Sequence, residues 1–248
     1  MSKNPNQKLK LLYLYQILLQ RTDENHKLTT DELRAALERG GITAERKSIY
    51  SDIEALQNFG LDVICQRGAG GGYYVASREF ELPELKLLVD AIQCSRFITE
   101  KKSNELIGKI EHLTSDHEAH TLQRQVYVSE RVKTLNEQIY YNIDALHAAI
   151  SNDVQITFSY FNWVLNFSAS PLIQKQYRRD GARYRVSPWA LTWDNENYYL
   201  IAFDHDADEI RHYRVDKMDS LVQTDLPREG KQLFDDRFDA AAYSRKVF

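Results

Sequence analysis

Two groups of side chains in this sequence have the types and spacing to grip phosphate and nucleobase. The first lies in residues 43–75, TAERKSIYSDIEALQNFGLDVICQRGAGGGYYV. Ile49, Ile53 and Leu56 recur at i, i+4 and i+7, which predicts a helix with one buried stripe. Away from that stripe stand Arg46, Lys47, Ser48, Tyr50 and Ser51, two cations and three hydroxyls near the helix start. Cations there suit phosphate oxygens, and short polar side chains suit base edges in a major groove. Thr43 stands just ahead, placed to cap the helix and to lie near a phosphate at its N-terminus. Arg67, Tyr73 and Tyr74 flank Gly68–Gly72, where they would meet a nucleic-acid backbone or minor groove.

The elements that position these groups are legible nearby. Gly60 follows Phe59 as a helix stop needing positive φ, and Leu61–Gln66, a glycine turn and Tyr73–Ala76 then read as a hairpin. Upstream, residues 6–20 predict an amphipathic helix with Leu11, Leu12, Tyr15, Leu18 and Leu19 on or near one face. Thr29 and Glu32 form a T-x-x-E capping box opening a short helix, Thr30–Leu37, that ends at Gly40-Gly41. Three helices followed by a glycine-tipped hairpin within residues 1–78 predict a winged helix-turn-helix whose third helix reads duplex DNA.

Residues 79–138 then turn helical, with Leu85, Leu87, Leu88, Val89 and Ile92 after Pro83, and Leu106, Ile110 and Leu113 further on. We read this stretch as a connector and dimerisation segment. A helix through Ile139, Ile143, Leu146 and Ile150 follows. From Val154 the apolar period becomes two, which predicts strands at 154–160, 175–178, 183–193, 198–204, 210–215 and 219–224. Short antiparallel strands of that density predict a small barrel or strongly bent sheet.

The second chemical group falls on those strands. If Tyr198, Leu200 and Ala202 face the core, Tyr199 points the other way, and His212 and Arg214 share the face opposite Tyr213 and Val215. Ser187 precedes Pro188, where strand pairing should break, and Tyr160 ends the first strand. An arginine fork, an imidazole, two phenols and a hydroxyl would suit a phosphate and a stackable base.

The stretch RYRVSPWALTWDNENYYLIAFDHDADEIRHYRVDKM is very similar to the core of the WYL domain, its naming Trp-Tyr-Leu motif appearing here as Tyr198-Tyr199-Leu200. Upstream, SIYSDIEALQNFGLDVICQRGAGGGYYV resembles the winged helix-turn-helix that commonly precedes WYL domains in bacterial regulators. The resemblance implies an α+β multidomain transcriptional regulator. Its WYL domain, a small Sm-like antiparallel β-barrel, would sense a nucleotide or single-stranded nucleic acid, with support strongest for Arg214. It also implies a homodimer. The closing DDRFDAAAYSRKVF resembles the start of a C-terminal extension, with Phe238, Ala241, Ala242 and Arg245 beginning an apolar stripe. The domains are thus read as 1–78, 79–138, 139–226 and 227–248.

Composition narrows the classes. A chain of 248 residues has room for two cores, and its net charge of −4 argues against a wholly basic nucleic-acid coat without excluding a local cationic face. Cys65 and Cys94 lack metal or redox spacing and read as reduced thiols of a cytoplasmic protein. The run Leu11–Leu19, broken by Gln16, is far shorter than the roughly 20 residues a membrane span needs. GAGGG precedes a strand, so it reads as a hairpin tip rather than a phosphate loop. His112, His117 and His120 do not share one helical face, and no nucleophile–base motif is present, so neither metal nor cofactor nor catalytic residue is expected. The competing reading is an RNA- or nuclease-associated accessory protein using the barrel to bind single strands, its N-terminal helices serving only protein contacts.

Overall fold

The computed structural model describes residues 9–122 and 133–234. Expectations resting on residues 6–8 of the first helix, on 123–132 of the connector, or on the stripe from Phe238 lie outside the described residues. Two compact units emerge, the first drawn from Met1–Cys94 and Ser103–Ser129, the second from Ser95–Lys102 and Glu130–Phe248.

In the first unit, helices α1 (Lys10–Arg21), α2 (Thr30–Arg39) and α3 (Arg46–Phe59) precede strands β1 (Val63–Gln66) and β2 (Gly72–Val75). Leu14 and Leu18 of α1, Leu33 and Leu37 of α2, Ile49, Ile53 and Leu56 of α3, and Val63 and Val75 of the hairpin form one core cluster. The buried face of α1 therefore runs through Lys10, Leu14 and Leu18, while Leu11 and Leu12 are exposed. Helix α2 opens with the expected box: Thr29 Oγ1 accepts the Glu32 amide at 3.3 Å, and Glu32 accepts the Thr29 amide at 2.7 Å. Gly60 closes α3 at φ 114°, a left-handed conformation that a side chain would strain. Strand β2 pairs with β1 and also bridges Leu28 through Tyr73, with amide–carbonyl distances of 2.8 and 3.0 Å. Gly72 permits that approach, since a Cβ there would lie 2.7 Å from the Leu28 carbonyl oxygen.

Helices α4 (Leu82–Cys94), α5 (Glu100–Glu111) and α6 (Asp116–Leu122) follow, with Leu85, Val89, Ile107 and Leu122 forming a second cluster. The loop after α1 is tied to the start of α6. Asp23, only 4 % exposed, accepts the Ser115 hydroxyl at 2.6 Å, the His26 imidazole at 2.8 Å and the amides of Asn25 and His26 at 2.9 Å. The His26 ring stacks on His117 at 3.8 Å. Burial works to raise the Asp23 carboxyl, but these hydrogen bonds outweigh it and hold the group below its ordinary value.

The second unit carries α7 (Ile139–Ser151) and six strands: β3 (Val154–Leu165), β4 (Ile173–Tyr177), β5 (Tyr184–Asp194), β6 (Asn197–Asp204), β7 (Glu209–Arg214) and β8 (Met218–Pro227). Every pairing is antiparallel. Strand β3 pairs with β8, with β5 at Ile156–Phe158 and with β4 at Phe161–Leu165, and β5, β6 and β7 follow as neighbours. Among the described residues β7 and β8 share no ladder, so the sheet is curled and open, a half-barrel: the strongly bent sheet that the strand pattern allows rather than the barrel that the resemblance implies. Pairing of β5 is interrupted at Trp189, one residue beyond Pro188.

The concave core joins Ile139 and Leu146 of α7 to Phe158, Tyr160, Tyr184, Val186, Leu200, Ala202, Tyr213 and Val215. Tyr213 donates to Asp204, which is fully buried, at 2.5 Å. Burial, then that carboxylate, raises the phenol. A second cluster of Ile201, Phe203 and Phe234, with Trp189 and Ile210 against it, covers much of the opposite face.

Candidate nucleic-acid interface and anion site

On α3, burial of Ile49, Ile53 and Leu56 forces Arg46, Lys47, Tyr50 and Ser51 to the exposed side. Arg46 Nε donates to the Tyr50 hydroxyl at 2.6 Å, and its guanidinium lies 5.9 Å from the ring centre. The Thr30 hydroxyl, then Arg46, hydrogen-bonds the Tyr50 phenol and lowers it. Arg46 is thus braced by its own helix, whereas Lys47 and Arg67 are exposed and make no hydrogen bond or ion pair among the described residues.

Ser48 is half-buried and accepts from Lys10 Nζ, which also pairs with Asp52 at 2.6 Å. Lys10 at the start of α1 therefore neutralises the carboxylate on α3, and Ser48 is a packing contact in this state. Thr43 is exposed and precedes Glu45, the N-cap residue, so it does not cap the helix; no side chain does.

On the hairpin, Tyr73 packs against the first core, with Cys65 and Thr30 near its hydroxyl. Burial, then the Cys65 hydrogen bond, raises that phenol. Tyr74 carries Lys27 over its ring at 5.4 Å. These contacts separate the two tyrosines: one steadies the hairpin, and the other builds a cation–aromatic pair beside it.

On the half-barrel, strand register sets Tyr199 opposite Arg214 and Ile201 opposite His212. Arg214 donates from Nε and Nη2 to the two Asp216 carboxylate oxygens at 3.0 and 2.9 Å, and from Nη2 to Asn197 at 2.8 Å. The Asp216 hydrogen bonds raise the guanidinium. The Arg214 amide donates to the Tyr160 hydroxyl at 3.1 Å. Tyr160 itself is 7 % exposed, so its ring belongs to the core and offers no stacking face. Burial raises its phenol and lowers the His212 imidazole.

Ser187 stands apart from this group. It is fully buried, its Oγ lies 3.0 Å from His205 Nε2, and it accepts the Glu229 amide at 2.9 Å. His205 Nδ1 is in turn 3.4 Å from the Glu229 carboxylate. The atom order resembles a nucleophile relay, but a serine closed to solvent cannot reach a substrate. The arrangement straps the segment after β8 to β5, aided by the Trp189 indole donating to the Glu229 carbonyl at 3.0 Å.

Sequence reading missed Arg178, Asn197, His205, Asp216 and Lys217. Asp216 had a signal: Arg214-Val215-Asp216 alternates, so acid and base fall on one side. Among the described residues no helix is long and apolar enough to cross a membrane, and no group of three or more His, Cys, Asp or Glu could hold a metal ion.

Comparisons with known proteins bear on both units. The uncharacterized HTH-type transcriptional regulator YobV of Bacillus subtilis (strain 168) is 24 % identical over 193 residues, 71 % of this chain. The matched stretch spans 55 % of that relative, about half its length. Among solved structures, proteasome accessory factor B/C of Arthrobacter aurescens aligns with 90 % of this chain and 34 % of its own, at 15 % identity and a TM-score of 0.28. The family model for the WYL domain matches residues 141–223, which run from α7 into β8. The curled antiparallel sheet is thus the part of this chain that is similar to the WYL domain.

Proposed function

We propose that this chain is a sequence-specific, DNA-binding transcriptional regulator whose first unit reads duplex DNA as a winged helix-turn-helix. Its WYL domain, on this reading, senses a nucleotide or single-stranded nucleic acid. The observation that carries the reading is the exposed side of α3, where Arg46, Lys47, Tyr50 and Ser51 stand together while Lys10 neutralises the nearby Asp52. A helix used only for protein contact has no need of that arrangement. The relative's designation as an HTH-type transcriptional regulator supports the same assignment.

In this reading α3 lies in the major groove, with Arg46 braced by Tyr50 for base contact and Lys47 on phosphate. Ser51 and Ser48 are neighbouring groove contacts, and Thr43 lies near a phosphate at the helix start. Arg67, Tyr73 and Tyr74 bring the hairpin to the backbone or minor groove. One such module has a small footprint, and paired half-sites remedy this, so the regulator acts as a homodimer. Exposed Leu87 and Leu88 on α4, within the 79–138 connector, supply apolar surface for pairing.

The sensing face comprises Arg214, His212 and Tyr199, with Tyr160 and Ser187 as supports rather than contacts. Mobility shifts on the DNA upstream of the protein's own gene test the central assignment. The double variant Arg46→Glu, Lys47→Glu should abolish the shifted band at concentrations where wild type is saturated; an unchanged band would refute it.

A further inference from the structure

Arg214, the centre of the sensing face, already holds an anion. Its fork is closed on Asp216, whose side chain is only 11 % exposed, and Asn197 takes another of its donors. Two more cations stand close by. Arg178 lies over the Tyr160 ring at 5.5 Å, and Lys217 Nζ donates to the Asn162 side-chain oxygen at 3.3 Å. The Tyr160 phenol and the Lys217 ammonium each feel the charges of Arg178, Arg214 and Asp216. Three cations thus share one carboxylate. Neither Arg178 nor Lys217 has an ion pair among the described residues. Burial, then repulsion from Arg214, lowers the Lys217 ammonium, the response of a cation short of an anion.

Asp216 also sits on a lever. It lies in the short helical turn Val215–Lys217 between β7 and β8. The side-chain amide of Asn136, a residue 3 % exposed, donates to the Asp216 carbonyl at 2.8 Å and to the Met218 carbonyl at 3.3 Å. Two residues earlier, the Thr134 amide donates to the Arg96 carbonyl at 2.8 Å, and Lys133 Nζ donates to the Ser95 carbonyl at 3.0 Å. The turn carrying the carboxylate is therefore hydrogen-bonded to the segment 133–136, and that segment to residues 95–96.

We propose that Asp216 is a built-in anion that an effector's phosphate group replaces on Arg214, with Lys217 and Arg178 as the phosphate's further contacts, and that its release loosens the turn from segment 133–136. This rests on the reading of the half-barrel as the sensing unit and supplies the regulation that reading lacks. A guanidinium fork accepts carboxylate or phosphate in the same bidentate geometry, so exchange needs no new pocket. A phosphate carries more charge and more acceptor oxygens than a carboxylate, so it satisfies three cations better than Asp216 does. The ligand shifts the equilibrium by that difference alone.

The test uses the full chain, fluorescein-labelled hexathymidylate read by anisotropy, and inorganic pyrophosphate as competitor. Each protein is also measured with Lys47→Glu present, so that contact with α3 does not count. Asp216→Asn keeps the shape and removes the competing charge, and should bind about tenfold tighter than wild type. Lys217→Gln and Arg178→Gln, changes at partly or fully exposed side chains, should each bind about tenfold weaker. Pyrophosphate should displace the probe, marking phosphate rather than base as the recognised group. Amide exchange at 133–136 should quicken when the probe binds wild type. Asp216→Asn binding no tighter, while Lys217→Gln weakens, would overturn the exchange and leave the sensing face standing. No binding of probe or pyrophosphate by any protein at low salt would overturn both.

Discussion

The two cationic regions of this molecule hold their charges in opposite ways. On the exposed side of α3, Lys47 makes no ion pair among the described residues, Arg46 leans on a tyrosine, and the Asp52 carboxylate is neutralised from α1. On the half-barrel, Arg214 is clamped by its own carboxylate and by Asn197. The difference follows from the partner each region is proposed to meet. A duplex presents a dense array of phosphates and releases counterions along its length, so mobile exposed cations suffice. A small anion offers few contacts, and a partly buried guanidinium left alone would be costly, so the protein supplies a resident partner. One surface is open and the other is occupied.

The largest effect that could break this contrast is on DNA affinity. Reversing both charges, Arg46→Glu with Lys47→Glu, should lower duplex affinity by roughly 100-fold or more, since each base or phosphate contact contributes about 1–3 kcal/mol. Wild type should show a steeper salt dependence than the variant in the same titration.

Stability should respond the other way round. Arg214→Ala leaves Asp216 without its partner and should destabilise the second unit by about 1–2 kcal/mol, a buried-pair cost discounted for the arginine's partial exposure. Lys47→Ala, which breaks nothing, should stay within about 0.5 kcal/mol of wild type. Denaturant melts followed by tryptophan fluorescence report the second unit, where all three tryptophans lie. Equal melts for wild type and Arg214→Ala would mean that the clamp is not a structural element.

Smaller again is the pH response, which should differ in sign between the units. The folded Asp23 carboxyl is held below its ordinary 3.8, so its contribution is complete above that value and is lost as pH falls through the folded value. Asp23→Asn should remove this acid-side loss and flatten the low-pH limb of stability. In the second unit the Tyr177 phenol, hydrogen-bonded to Asp219, is pushed up to about 12 from 10.0. That raised group contributes fully below pH 10.0, and its contribution is lost as pH rises through about 12. Tyr177→Phe should flatten the alkaline limb alone, a result read by circular dichroism across the titration.

Local rules made much of the fold legible. The T-x-x-E box, the Gly60 stop and all six strands of the half-barrel could be read because hydrogen-bonding and side-chain period are set by near neighbours. The face of α1 could not. KLLYLYQILLQR has apolar residues in nearly every helical phase, and Leu33 and Leu37 of α2 decide which of them are buried. Closure of the sheet was equally hidden, because whether β7 meets β8 depends on curvature summed over every strand. For the site, strand alternation placed Tyr199, His212 and Arg214, but not what they touch. The strap of Ser187 to His205 and Glu229 spans 18 and 42 residues, a separation no local pattern reports.

A crossed binding experiment meets the central claim most directly. Duplex DNA and labelled hexathymidylate would each be titrated into wild type, Lys47→Glu and Lys217→Gln at one salt concentration. Lys47→Glu should lose the duplex and keep the single strand, while Lys217→Gln should keep the duplex and lose the single strand. Parallel losses of both ligands in both variants would contradict it, because the two cationic regions would then be one surface serving one partner.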